Sequence, residues 1–150
     1  MVGLGRTSRL PVILCDTGPL IAIINSNDPE HVRCLKAASR LKGPLPTTEA
    51  CLTEALYMLH RATGWIGQEA LWRLVKAGTL QVLAPPSDGP LRANSYMDRF
   101  RDLPCDYADA TLLVASQDTT IRKVLTLDGH FYAYRLIDGS LLDVVTIDLI

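Results

Sequence analysis

An α/β fold with a mostly parallel central sheet is predicted by three features of the sequence. Two short apolar runs, Val12-Ile13-Leu14-Cys15 and Val124-Leu125-Thr126-Leu127, have the length and side-chain type of buried strands. Helical segments with apolar residues three and four apart alternate with strand segments, which predicts right-handed crossovers between parallel strands. Each apolar run also ends in an acid, Asp16 or Asp128, at the carboxyl edge of the sheet, where ligands of open α/β sheets bind.

The elements follow in order. Val12 to Cys15 forms the first strand, and a helix starts near Thr17 and runs through Ile24. Asn25 to Asp28 make a turn, and Pro29 suits the first turn of a helix from Glu30 to Leu41. Val32, Leu35 and Ala38 mark one side of that helix; Arg33, Lys36 and Arg40 mark another. Leu45 to Thr47 is a short strand, after which Thr47 or Thr48 caps a helix from Glu49 to about Arg61. Gly64 separates it from a helix over Ile66 to Ala77, and Gly78 ends that one. Leu80 to Leu83 is a third strand, Leu91 to Phe100 a helix, and Asp106 opens a helix from Tyr107 to Ser116. Lys123 to Leu127 is the fourth strand, Gly129 to Tyr134 a turn or short helix, and Val144 to Ile147 the last strand.

A chain of 150 residues with 48% hydrophobic side chains is expected to form one domain over residues 11–150, behind a flexible leader at 1–10. The leader lacks the apolar stretch of a signal peptide, and no run approaches the roughly 18 apolar residues of a membrane span. Cys15, Cys34, Cys51 and Cys105 form no paired motif and sit in apolar segments, so they read as buried free thiols in a reducing cytoplasm. Net charge is −1, but residues 1–76 hold nine Lys/Arg against six Asp/Glu, and residues 77–150 hold six against ten. The overall balance therefore neither favours nor excludes nucleic acid, and a local basic face is compatible with it. The chain has no glycine-rich phosphate loop and no serine or cysteine nucleophile motif with a histidine partner.

The chemistry lies in the acids. Glu54 has Ala50, Cys51, Tyr57 and Met58 as helical neighbours, and a carboxylate on an apolar face costs several kcal/mol unless it is paired, protonated or bound to metal. Glu49, in the first turn of the same helix, is explained by the helix dipole. Asp106 is placed as an N-cap, whereas Asp109, followed one turn on by Leu112 and Leu113, is not; Asp109 is the preferred ligand and Asp106 a second choice. Asp16 and Asp128 could each cap the segment that follows, yet with Glu54 and Asp109 they make a set of four. Four convergent carboxylates select a hard cation such as Mg²⁺ or Mn²⁺, which can activate water and stabilise the leaving oxygen of a phosphodiester. Thr17 and Thr126 flank two of the acids as supporting groups. Arg33, Lys36 and Arg40 are candidate substrate contacts, with His130 beside Asp128; Arg6, Arg9 and Arg135 are weaker ones, and Tyr132 and Tyr134 either stack on a base or pack in the core.

In that order, Asp16-Thr17-Gly18-Pro19-Leu20, Thr47-Thr48-Glu49 with Thr53-Glu54-Ala55, Asp106-Tyr107-Ala108-Asp109-Ala110, and Leu125-Thr126-Leu127-Asp128-Gly129-His130-Phe131 resemble the motifs of PIN-domain nucleases, in particular the VapC-like toxins. The resemblance spans roughly residues 11 to 145. It implies a three-layer α/β/α sandwich and metal-dependent cleavage of RNA, with Asp16, Glu54, Asp109 and Asp128 as the acidic site. It also implies an antitoxin partner and a homodimer. The other readings are a PIN nuclease of RNA processing without an antitoxin, and a catalytically silent RNA- or protein-binding module.

Overall fold

The computed structural model describes residues 12–145. The leader at 1–10, with Arg6 and Arg9, and the end of the last predicted strand lie outside the described residues. The elements are β1 (Leu14–Cys15), α1 (Thr17–Ile24), α2 (His31–Arg40), β2 (Leu45–Thr48), α3 (Glu49–Thr63), α4 (Trp65–Lys76), β3 (Leu80–Leu83), α5 (Gly89–Arg99), α6 (Tyr107–Thr119), β4 (Lys123–Leu125), a 3₁₀ turn at Gly129–Tyr132, and β5 (Asp143–Val145).

All three strand ladders are parallel, as strand–helix alternation requires. One sheet has the order β1-β4-β5 and the other pairs β2 with β3. Thr47 Oγ1 donates to the Cys15 carbonyl at 2.8 Å, so a side chain joins β2 to β1 where no backbone ladder does. The pleat sends alternate residues to opposite faces. Ile13, Cys15 and Leu125 pack with Leu20 of α1, Cys34 of α2, Leu59 of α3 and Leu71 of α4. Leu14, Val124 and Val144 pack on the other face with Ala93 and Tyr96 of α5 and Leu112 and Leu113 of α6. Helices thus cover both faces of parallel strands, giving the three-layer α/β/α arrangement.

Several boundaries moved for identifiable reasons. β4 stops at Leu125, not Leu127, because Thr126 Oγ1 accepts the Asp128 N–H at 2.9 Å and turns the chain out of the ladder. α6 runs on to Thr119, past the last apolar position, with Asp118 of the added turn held by Arg92 at 2.7 Å. α3 continues to Thr63 and stops where Gly64 adopts φ +70°, a conformation that glycine takes without strain. α5 begins at Gly89 and takes Pro90 into its first turn, where a missing N–H costs nothing. On α2 the buried side is Cys34 and Ala37, while Val32 and Leu35, which mark another side, are 61% and 48% exposed. All four cysteines are buried and free. Among the described residues, no helix is long and apolar enough to cross a membrane.

Candidate active site

The four acids picked out in the sequence lie far apart along the chain and line one cavity of about 290 Å³, together with Asp106 and Thr17. The aspartates are delivered by the starts of helices or turns, and Glu54 by the body of a helix. Asp16 leaves β1 and accepts the Thr17 N–H at 2.7 Å, capping α1. Asp106 accepts the Asp109 N–H at 2.8 Å, and Asp109 Oδ2 accepts the Asp106 N–H at 3.2 Å, a reciprocal capping box that opens α6. Asp128 accepts the His130 N–H at 2.9 Å and caps the 3₁₀ turn. Glu54 enters from the second turn of α3, where Thr17 Oγ1 donates to its Oε2 at 3.4 Å. For the four aspartates, capping and convergence are therefore not competing explanations; the caps are what aims them.

Asp109 was expected to lack a structural role. It is the third-residue partner in the capping box, a pairing hidden by the absence of the usual Glu or Gln there. Glu54 sits at the edge of the buried face of α3 and not within it, with Tyr57 and Met58 exposed beside it. Its apolar neighbours in sequence misled about depth because only Cys51 among them is fully buried, while Met58 lines the cavity and Tyr57 is exposed.

Among the described residues, no lysine or arginine forms an ion pair with any of the five acids; Asp128 alone has a basic neighbour, His130, whose Nδ1 lies 2.6 Å from its Oδ1. Burial raises the Asp16 carboxyl above the usual carboxylate range, against the pull of hydrogen bonds from Thr126 and Thr17, and Asp128 and Asp106 add to the rise. Burial and then the charges of Asp106 and Asp16 raise Glu54. Asp109 is pushed up to about 8, first by burial and then by Asp106 and Asp16.

Thr126 is the hub of the arrangement. Its Oγ1 donates to Asp16 Oδ2, 110 positions away, at 2.7 Å and accepts from the Asp128 backbone at 2.9 Å, which ties the two acids together. Gly18 leaves room for Leu127: a Cβ there would come within 3.3 Å of the Leu127 side chain. Tyr134, which the sequence left open between stacking on a base and packing, is buried against Phe131 and Phe100 and donates to Asp109 Oδ2 at 3.4 Å. No short motif marked that contact, because it joins a loop to a helix start 25 residues away. Cys51, placed under the cavity with its Sγ 4.0 Å from Asp16 Oδ1, is pushed up to about 12 by burial and by the Asp16 charge and stays a thiol.

The proposed basic contacts fall elsewhere. Arg33, Lys36 and Arg40 sit on the exposed side of α2 and do not line the cavity, and Arg33 Nη1 pairs with Glu30 at 2.7 Å. Arg135 donates to the carbonyls of Tyr132, Ala133 and Tyr134 and clips the chain after the 3₁₀ turn. Tyr132 is exposed.

A divalent ion suits this donor set. Among the described residues, no three His, Cys, Asp or Glu side chains form a closed metal cage. Mg²⁺ does not call for such a cage: it retains several waters and takes one or two carboxylates. Oxygen-only donors, mutual repulsion and no internal counter-charge together fit a hard, hydrated cation.

The PIN domain family model matches residues 13–136, most of the chain. This chain belongs to the PIN-domain family. The crystal structure of Mycobacterium tuberculosis VapC20, a sarcin-ricin loop cleaving toxin, superposes on this PIN domain with a TM-score of 0.75 at 21% identity, covering 81% of this chain and 93% of that one. No curated protein matches it. The superposition shows the fold, and the acids sit in the PIN domain at the carboxyl edge of its parallel strands.

Proposed function

We propose that this protein is a Mg²⁺- or Mn²⁺-dependent endoribonuclease acting as the toxin of a type II toxin–antitoxin pair. The observation that carries the reading is the convergence of Asp16, Glu54, Asp106, Asp109 and Asp128 on one cavity without a lysine or arginine among them. Family membership and the fold shared with a toxin that cleaves RNA support it. The partners that follow are RNA as substrate, an antitoxin protein, and a second copy of the chain in a homodimer, in the cytoplasm. The protein is read as a single PIN unit over 11–150.

Asp16, Glu54, Asp109 and Asp128 would hold the ion, with Asp106 as a further ligand. When bound, the ion supplies an activated water and charge stabilisation at the scissile phosphate. The chain's own part is positioning. Thr126 fixes the second oxygen of Asp16, so its first remains directed by the α1 N-terminus. Thr17 restrains Glu54. The acids repel a phosphate until a cation neutralises them, so bare protein binds RNA poorly and metal-loaded protein binds it. Asp128 holds the His130 ring through its Nδ1 at 2.6 Å, so the ring beside the site would be available to contact substrate.

The test is cleavage of a purified RNA pool with Mg²⁺, with Mn²⁺ and with chelator, for wild type, Asp16→Asn and Asp128→Asn. Cleavage confined to wild type with metal is expected. Undiminished cleavage in both variants would sink the assignment. Expression with and without the neighbouring gene separates toxin from processing enzyme: growth arrest by unpaired wild type but not by Asp16→Asn is the toxin outcome.

A further inference from the structure

A second cavity, of about 280 Å³, opens beside the acidic one at the carboxyl ends of β2 and β3. Its walls are apolar, formed by Leu83, Pro85, Pro86, Val114 and Ala115. The polar groups at its base are already satisfied: Thr48 and Thr111 bond to each other at 2.8 Å, and Thr111 donates to the Ala108 carbonyl at 2.7 Å. Its rim carries Glu49, Thr53 and Tyr107, all exposed.

The two cavities share a ridge. Tyr107 follows Asp106 and Thr53 precedes Glu54, so each helix turns one residue toward the acids and its neighbour toward the apolar cavity. A strand of RNA laid over the ridge with one phosphate at the acids brings an adjacent base over the second cavity. A base has apolar faces and a polar edge, and this cavity offers apolar walls, a floor whose hydroxyls bond each other, and further polar groups at its lip. Tyr107, 45% exposed, gives a ring for stacking. The volume lies just below the range of about 300–1,000 Å³ that suits drug-sized ligands, which fits a single base. The lip offers acceptors. Glu49 is a carboxylate, and Thr53 donates its hydroxyl proton to the Glu49 carbonyl at 2.8 Å, leaving lone pairs outward. Asp118, the other acid at the cavity, is held by Arg92 in two hydrogen bonds.

We propose that this cavity binds a nucleobase flanking the scissile phosphate and favours a base with an exocyclic amino group, adenine, cytosine or guanine, over uracil. The proposal rests on the ribonuclease reading above. It is tested with short unstructured RNAs that carry each of the four bases at each position beside the cleaved bond. Wild type, Glu49→Gln and Ala115→Phe are compared for kcat/KM and for the rise in Tm caused by Mn²⁺, which reads the acidic site separately. Wild type should disfavour uracil at one flanking position by about tenfold, the lower end of what one well-formed base contact provides. Ala115→Phe should fill the cavity, erase that preference and raise KM, while the Mn²⁺ shift stays. Glu49→Gln adds a donor at the lip and should admit uracil; being exposed, it keeps the test decisive if Ala115→Phe does not fold. Wild-type cleavage with the same base preference in both variants overturns the base site and leaves the ribonuclease intact. A change in sedimentation without a change in base preference assigns the cavity to a protein contact and also overturns it. Failure of wild type to cleave any RNA removes the ribonuclease reading and this one with it.

Discussion

Asp109→Asn should make the metal-free protein more stable at alkaline pH while abolishing its activity. Asp109 is only 6% exposed, and its carboxyl lies at about 8 against an ordinary 3.8. The folded state therefore binds this proton more tightly than the unfolded chain does. Stability from this group is complete below about pH 4 and drains away as pH rises through about 8. A shift of about four units corresponds to an upper bound of ~6 kcal/mol at ~1.4 kcal/mol per unit. The side chain faces an open cavity whose water screens the charge, which brings the expected penalty down to about 1–3 kcal/mol. Asn keeps an oxygen for the Asp106 N–H and for the Tyr134 hydroxyl, so neither the capping box nor the tyrosine contact is lost. For a chain of this size the gain corresponds to a Tm higher by roughly 3–10 °C. The assay is thermal unfolding in chelator at pH 5 and pH 9, followed by RNA cleavage with Mn²⁺. The variant should match wild type at pH 5, exceed it at pH 9 and fail to cleave. Equal or lower stability at pH 9 would refute the argument that mutual repulsion and burial strain this site.

Three further outcomes follow from the same geometry. Mn²⁺ or Mg²⁺ at about a hundred times its dissociation constant should stabilise the protein by ~2.7 kcal/mol at pH 8 and by less at pH 5, where protons compete for the acids; scanning calorimetry at both pH values checks this. Thr126→Val removes a donor to Asp16 and an acceptor for the Asp128 N–H, so it should cost about 1–3 kcal/mol and at least tenfold in cleavage, with Thr126→Ser restoring both; chemical denaturation and kinetics read the two effects. Leu59→Ala, at a fully buried position of the face beneath α1 to α4, should cost about 2–5 kcal/mol in denaturant unfolding while leaving Mn²⁺ binding to the folded protein unchanged.

What the sequence disclosed and what it concealed divide along physical lines. Strands β2 and β3 and helix α1 could be located to within a residue because apolar runs and caps are local signals. The acids were legible because a carboxylate among apolar neighbours conflicts with its surroundings, and such conflicts mark sites. The bond from Thr126 to Asp16 and the contact of Tyr134 with Asp109 were not legible as contacts, since each depends on chain segments that meet only after folding. The buried side of α2 was not legible because Cys34 and Ala37 are small and carry little hydrophobic signal, while the larger Val32 and Leu35 face outward. The apolar cavity beside the site had no sequence signature at all; it arises where Pro85 and Pro86 carry the chain past α6.

Because Asp16, Asp106, Asp109 and Asp128 hold the first turns of α1, α6 and the 3₁₀ segment, removing any of these carboxylates of the proposed centre also loosens the scaffold. At these four aspartates, inactivating changes that leave a sound protein are confined to amides, which accept the same backbone hydrogens without the charge; Glu54, which caps no element, is exempt. If unrestrained activity harms the host, colonies surviving expression should divide sharply: intact but silent proteins bearing Asn at these positions, and degraded ones bearing Ala, Val or Gly. The spectrum of survivors would thus map the capping geometry without any crystal.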